Sequence, residues 1–219
     1  MARHGGIRPY GTDAGGKDFE HCEPLFFTTS QTGQAAPDIG DPGRPDLPPL
    51  QDAHDIDQLA EMDVIISCQG GSYTEAIIGP LRQKGWQGYW IDAASTLRMD
   101  PESLIILDPV NRAVIDAGLD RGIRHFIGGN CTVSLMLMAL GGLFAQDWVE
   151  WMTTMTYQSA SGAGANNMRE LVAQMRYLGD GCAALLDDPA TAIAQIDRQV
   201  SADLNAEGFP TANFGAPLA

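Results

Sequence analysis

The residues best suited to covalent chemistry lie in the run Gly128-Gly129-Asn130-Cys131-Thr132-Val133-Ser134. The stretch after it, Leu135 to Leu140, is apolar in a helical pattern, so the spacing predicts Cys131 in the first turn of a helix that a glycine pair leads into. The backbone N–H groups of such a turn lack intrahelical partners, and with the positive end of the helix dipole they favour thiolate over thiol. The same N–H groups are expected to hold an oxyanion once the sulfur attacks a carbonyl. A buried structural cysteine would fit the same apolar surroundings. Deciding between the two rests on what the other elements bring to the sulfur.

Those elements alternate. Pro24 to Ser30 reads as a short strand entering a polar loop, Asp63 to Ser67 as an apolar β-branched strand, Tyr89 to Ile91 and Ser103 to Leu107 as further strands, and His125 to Ile127 as the strand before the cysteine helix. Ser72 to Lys84 and Val110 to Gly118 read as helices, and Asp38 to Pro49, rich in Pro, Gly and Asp, as a surface loop. Continuous apolar strands between helices indicate a parallel α/β sheet. Ligands of such sheets bind beyond the carboxyl ends of the strands. There the sequence puts Thr29-Ser30, Gln69-Gly70 and Ser95, a plausible nucleotide cleft. Beyond the cysteine helix the pattern changes: Trp148 to Ser159 alternates like an antiparallel strand, while Asn167 to Leu178 and Ala190 to Val200 read as amphipathic helices. A domain boundary is expected near Gly129, giving domains 1–129 and 130–219.

The string GGNCTVSLMLMALGGLF resembles the nucleophile segment of bacterial aspartate-β-semialdehyde dehydrogenases. The likeness extends through PLFFTTSQTGQAAP, DVIISCQGGSYT, GWQGYWIDAASTLRM, IILDPVN, TYQSASGAGANNMREL and NFGAPLA, nearly continuously from about Asp18 to Ala219. It implies an α/β fold: an incomplete Rossmann-type parallel sheet that binds NADP, followed by part of an α+β catalytic and dimerisation domain. It also implies a reaction, the NADPH-dependent reductive dephosphorylation of L-aspartyl 4-phosphate to L-aspartate 4-semialdehyde through a cysteine thioester, in lysine, methionine and threonine biosynthesis. By this resemblance Cys131 is the nucleophile. Gln158 matches the glutamine that orients substrate beside the sulfur, and Arg98 and Asn130 match phosphate-binding positions. A guanidinium fork suits an acyl phosphate, and an amide orients without competing as a nucleophile. Thr29 and Ser30 match contacts to the ribose 2′-phosphate, where hydroxyls in place of an acid favour NADP over NAD. Gln69, Ser161, Gly162 and Pro189 match further cofactor contacts. His4, His21, His54 and His125 match no catalytic histidine and read as structural or surface residues.

Two departures from the family stand out. Its members run well beyond Ala219, and that part carries the acid/base histidine and a carboxylate-binding arginine. At the start, the family's glycine-rich loop, close to GWRGMVGSVLMQRM, is replaced by an aberrant segment, MARHGGIRPYGTDAGGK, expected to be disordered. Met1-Ala2 requires ATG GCN, which read one base later begins with tryptophan. His4-Gly5, Tyr10-Gly11 and Asp13-Ala14 each allow methionine in that frame, where the family string has its own. The segment is thus expected to be a frame-shifted translation of the dinucleotide loop, and the chain as written to be inactive. The remaining alternatives are a relic that only binds nucleotide or oligomerises, and a related acyl-phosphate reductase of the N-acetylglutamyl-phosphate type.

Composition sets outer bounds. A net charge of −15 over 219 residues argues against a nucleic-acid partner. The longest apolar runs are too short to span a bilayer. The four cysteines, Cys22, Cys68, Cys131 and Cys182, form neither a zinc pattern nor a disulfide framework, so no metal is expected. Small-molecule substrates, a homodimer and a cytoplasmic location complete the expectation.

Overall fold

The computed structural model describes residues 22–39, 46–108 and 110–218. The expectations for residues 1–17, and for His4 and His21, lie outside these. The chain forms two compact units, one ending at Trp148 and the other running Val149–Ala219. The division groups the cysteine helix with the first unit, whereas the sequence places the boundary before it.

The first unit centres on four parallel strands, β3 (Val64–Ser67), β4 (Tyr89–Asp92), β5 (Ser103–Ile106) and β6 (His125–Gly128), in the order β3-β4-β6-β5. Ile65 pairs with Trp90, Ile91 with Phe126 and Ile105 with Ile127. A second, two-stranded parallel sheet joins β1 (Phe27–Thr28) to β2 (Gln51–Asp52). The sequence anticipates one parallel sheet; among the described residues there are two, and β2 was not foreseen because two residues carry no period.

Helix α1 (Ile56–Leu59) is capped by Asp55, whose carboxylate accepts from the N–H groups of Asp57 and Gln58. Helices α2 (Gly71–Gln83) and α3 (Arg112–Asp120) follow β3 and β5, as βαβ logic requires. The core gathers Leu59, Ile65, Tyr73, Ile77, Leu81, Trp86, Trp90 and Ile127. Trp90, Leu81 and Ile127 have no exposed surface. Tyr73 donates its hydroxyl to Ala53 O at 2.7 Å, which ties α2 to β2, and burial beside Asp52 pushes the phenol up to about 12.

Helix α4 (Cys131–Ala145) leaves the end of β6 directly. None of its residues is buried, and Val133, Leu135 and Met138 are exposed.

The second unit is helical. Helices α5 (Ala165–Asp187) and α6 (Ile193–Leu204) pack together, preceded by a 3-10 turn at Ala160–Ala163. Glu170 and Gln174, buried on α5, reach the final segment. Glu170 accepts from Phe214 N at 2.9 Å and from Asn213 N and Nδ2, and Gln174 bridges Pro210 O and Leu218 N at 2.8 Å each. The strand expected over Trp148 to Ser159 is not formed. Every residue from Trp151 to Ser159 is exposed and belongs to no helix or strand. Alternation gives a segment two faces but no hydrogen-bonding neighbour, and among the described residues no strand pairs with it.

Candidate active site at the carboxyl ends of the strands

Because the four strands of the main sheet are parallel, their carboxyl ends share one edge, and the residues expected to do chemistry in the first unit follow those ends. The β6 tip delivers Gly128-Gly129-Asn130-Cys131. Asn130 is the N-cap of α4: its Oδ1 accepts from Thr132 N at 3.0 Å and Val133 N at 3.1 Å, while its backbone carbonyl accepts from Ser134 N at 2.8 Å. Cys131 therefore occupies the first helical position, is exposed, and has its Sγ 3.9 Å from Thr132 Oγ1. The capping modifies the expectation for the oxyanion. Two N–H groups of the first turn are spent on the Asn130 side chain, because an asparagine at this position competes with any ligand for them. A Cβ on Gly129 would lie 2.7 Å from Ser134 Oγ, so any side chain there would force the serine hydroxyl to move.

Arg98, from the loop after β4, meets the same turn. Its Nε donates to Gly128 O at 2.8 Å, and its Nη2 to Gly129 O at 3.2 Å and Ala93 O at 3.3 Å. The sequence had these residues converge on an anion. The structure does bring Arg98 beside Asn130 and Cys131, but through backbone carbonyls. Asp92 fixes the loop that carries Arg98: one carboxylate oxygen accepts from Thr74 Oγ1 at 2.5 Å and Trp90 Nε1 at 3.2 Å, the other from Ala94 N at 2.8 Å. Its role was not anticipated. The available signal was an acid at the end of an apolar strand, which must be hydrogen-bonded if buried.

Of the cofactor candidates, Thr29 and Gln69 are in contact, with Thr29 Oγ1 donating to Gln69 Oε1 at 3.4 Å across the two sheets. Ser30 is exposed beside them, its N–H given to Thr28 Oγ1 at 3.3 Å. After Gln69 the chain turns through Gly70 at φ +102°, a conformation side chains resist, into α2, whose N-terminus takes no side-chain cap. Within the second unit Ser159 Oγ lies 2.7 Å from Ser161 Oγ and accepts Ser161 N at 3.3 Å. A Cβ on Gly162 would lie 3.5 Å from Gln158 Nε2, so Gln158, Ser161 and Gly162 form one turn. Pro189 is apart from them, exposed between α5 and α6.

Among the described histidines, His54 is exposed on Asp52, with Nδ1 3.3 Å from Oδ1. His125 accepts from Arg82 Nε at 3.0 Å, and burial together with the Arg82 charge pushes its pKa down.

The model of the semialdehyde dehydrogenase NAD-binding domain matches residues 16–118, and that of the semialdehyde dehydrogenase dimerisation domain matches residues 140–219. The aspartate semialdehyde dehydrogenase of Francisella tularensis superposes with a TM-score of 0.71 at 44% identity, over 89% of this chain and 51% of that one. The chain belongs to the aspartate semialdehyde dehydrogenase family. Aspartate semialdehyde dehydrogenase II of Vibrio cholerae, complexed with ASA, shares the fold at 23% identity and a TM-score of 0.57, over 75% of this chain and 47% of that one. The chain thus spans about half the length of these aspartate semialdehyde dehydrogenases. Its two matched domains identify an oxidoreductase family that binds NAD-type nucleotides. Among the described residues no helix is long and apolar enough to cross a membrane.

Proposed function

We propose that this chain carries the nucleophile and part of the cofactor cradle of an enzyme that reduces L-aspartyl 4-phosphate to L-aspartate 4-semialdehyde, feeding lysine, methionine and threonine biosynthesis from the cytoplasm as a homodimer. The observation that carries the reading is Cys131, exposed at the first position of α4 on the carboxyl end of β6, beside Arg98. The Cys131 thiolate attacks the acyl carbon, and the carbonyl pair moves onto oxygen. Collapse expels phosphate with the pair of the broken C–O bond and leaves a thioester. Arg98 and Asn130 attract the phosphate, and Gln158 orients the substrate at the sulfur. We retain a functional boundary between residues 129 and 130, because the cysteine helix serves the acyl-transfer step.

The residues present fit NADP. The hydroxyls of Thr29 and Ser30 offer donors to a 2′-phosphate, and the uncapped α2 N-terminus beyond Gly70 favours an anion. Gln69, Ser161, Gly162 and Pro189 complete the proposed contacts. When bound, NADPH supplies the hydride that reduces the thioester.

The test is phosphate-dependent reduction of NADP by L-aspartate 4-semialdehyde. The protein with the family's glycine-rich loop in place of residues 1–17, carried on to the length of its relatives, is expected to turn over, and Cys131→Ser in that protein to abolish turnover. Turnover that survives Cys131→Ser would overturn the assignment.

A further inference from the structure

Arg98 is bonded in a way that an anion-binding role does not require. Its guanidinium grips two consecutive carbonyls, Gly128 O at 2.8 Å and Gly129 O at 3.2 Å, and ties them to Ala93 O at the end of β4. A trans peptide is planar, with C=O and N–H pointing in opposite directions. Holding Gly129 C=O towards Arg98 therefore turns the Asn130 N–H away from the guanidinium. On the next peptide Asn130 C=O accepts from Ser134 N–H, which aims the Cys131 N–H out of the helix N-terminus. The Thr132 and Val133 N–H groups go to the Asn130 side chain. The donors of this turn are thus aimed by Arg98 on one peptide and by the helix on the next.

We infer that Arg98, beyond attracting the phosphate by its charge, is a positioning residue for acyl transfer: by clamping the carbonyls of Gly128 and Gly129 it fixes the peptide planes before Cys131, so that the Asn130 N–H is presented to the oxyanion formed when the sulfur attacks. The inference rests on Cys131 being the nucleophile. In the step itself a S–C bond forms, the carbonyl pair moves onto the acyl oxygen, and the bond to the leaving oxygen then breaks with its pair going to the leaving group. Without the clamp, two glycines in succession have wide backbone freedom and the oxyanion loses a fixed donor. Displacement at an alkyl carbon forms no oxyanion and needs none. Lysine cannot replace the clamp, because one ammonium does not reproduce a planar fork across two carbonyls.

The 219-residue chain and its Arg98→Gln and Arg98→Lys variants are treated with p-nitrophenyl acetate, an acylating probe, and separately with iodoacetamide, an alkylating one. Modification of Cys131 and of Cys68 is followed by peptide mass spectrometry. The expected result is a loss of roughly tenfold or more in Cys131 acylation in both variants, on the scale of one lost oxyanion donor. Alkylation of Cys131 and both reactions of Cys68 should change far less. Equal losses in acylation and alkylation, or restoration by lysine, overturn the clamp. Acylation of wild-type Cys131 no faster than Cys68 overturns the nucleophile reading itself. A measurement needing no variant is exchange of the Arg98 Nε–H in the wild-type chain, expected to be slowed by its bond to Gly128 O. Exchange at the rate of exposed arginines overturns the clamp.

Discussion

In the first unit, Trp90, Leu81 and Ile127 are completely buried in and against a four-stranded parallel sheet; in the second, the buried residues described are Glu170, Gln174, Cys182 and Phe209, and every residue from Trp151 to Ser159 is exposed. The first unit is held by apolar burial between strands and helices. In the second, two polar side chains of α5 reach out to the backbone of residues 210–218. Apolar burial leaves a periodic trace in sequence, whereas a side-chain clamp on a distant backbone leaves almost none.

The largest effect should come from the first unit's core. Trp90→Ala removes a fully buried indole and its bond to Asp92, at a cost of about 3–5 kcal/mol. Urea unfolding followed by tryptophan fluorescence should show that fall, while amide exchange in α5 stays near wild type. Loss of α5 protection in the same variant would show that the units do not hold themselves separately.

Next is Glu170→Gln, which removes the carboxylate that accepts three donors from Asn213 and Phe214. Amide exchange at Asn213 and Phe214 should speed up at least about tenfold. The strands of the first unit should be unchanged. Unaltered exchange at Phe214 would mean that the clamp contributes nothing.

Titration sharpens the comparison. His125 has a pKa lowered from 6.5 by burial, then by Arg82, although Asp100 and Glu102 pull it up. A depressed base is held neutral by the fold, so its contribution is full above the unfolded value and is lost as pH falls below it. Burial pushes Glu170 up from 4.5, but hydrogen bonds from Phe214 and Asn213 outweigh that and leave it lowered, so its contribution is lost only in more acidic solution. Acidification should therefore loosen β6 before the 210–218 segment, read by pH-dependent amide exchange. The reverse order would contradict both assignments.

The smallest effect expected is at the surface. Lys84→Ala breaks the contact between Lys84 and Asp57, whose side chain is 87% exposed. The urea midpoint should move by less than about 1 kcal/mol equivalent. A larger fall would mean that α1 depends on the pair.

Much of the first unit was legible in sequence because β-branched runs such as Val64-Ile65-Ile66 and the glycine pair leading into the Cys131 helix are local signals. The two-residue strand β2 and the role of Asp92 were not, because they depend on pairing and burial partners far along the chain. For the site, the local pattern did place Cys131 at a helix start. It did not disclose that Arg98 would be bonded to Gly128 and Gly129, since a guanidinium's partners are chosen by the fold. Trp148 to Ser159 has the alternation of a strand but, among the described residues, no strand to pair with, so periodicity there was misleading.

The central claim, that Cys131 is the acyl-accepting nucleophile, is tested most directly by exposing the 219-residue chain to L-aspartyl 4-phosphate and locating the adduct by peptide mass spectrometry. The expected result is an aspartyl thioester on Cys131, released by hydroxylamine. An adduct confined to Cys22 or Cys68, or none on Cys131 while L-aspartyl 4-phosphate persists, would contradict the account.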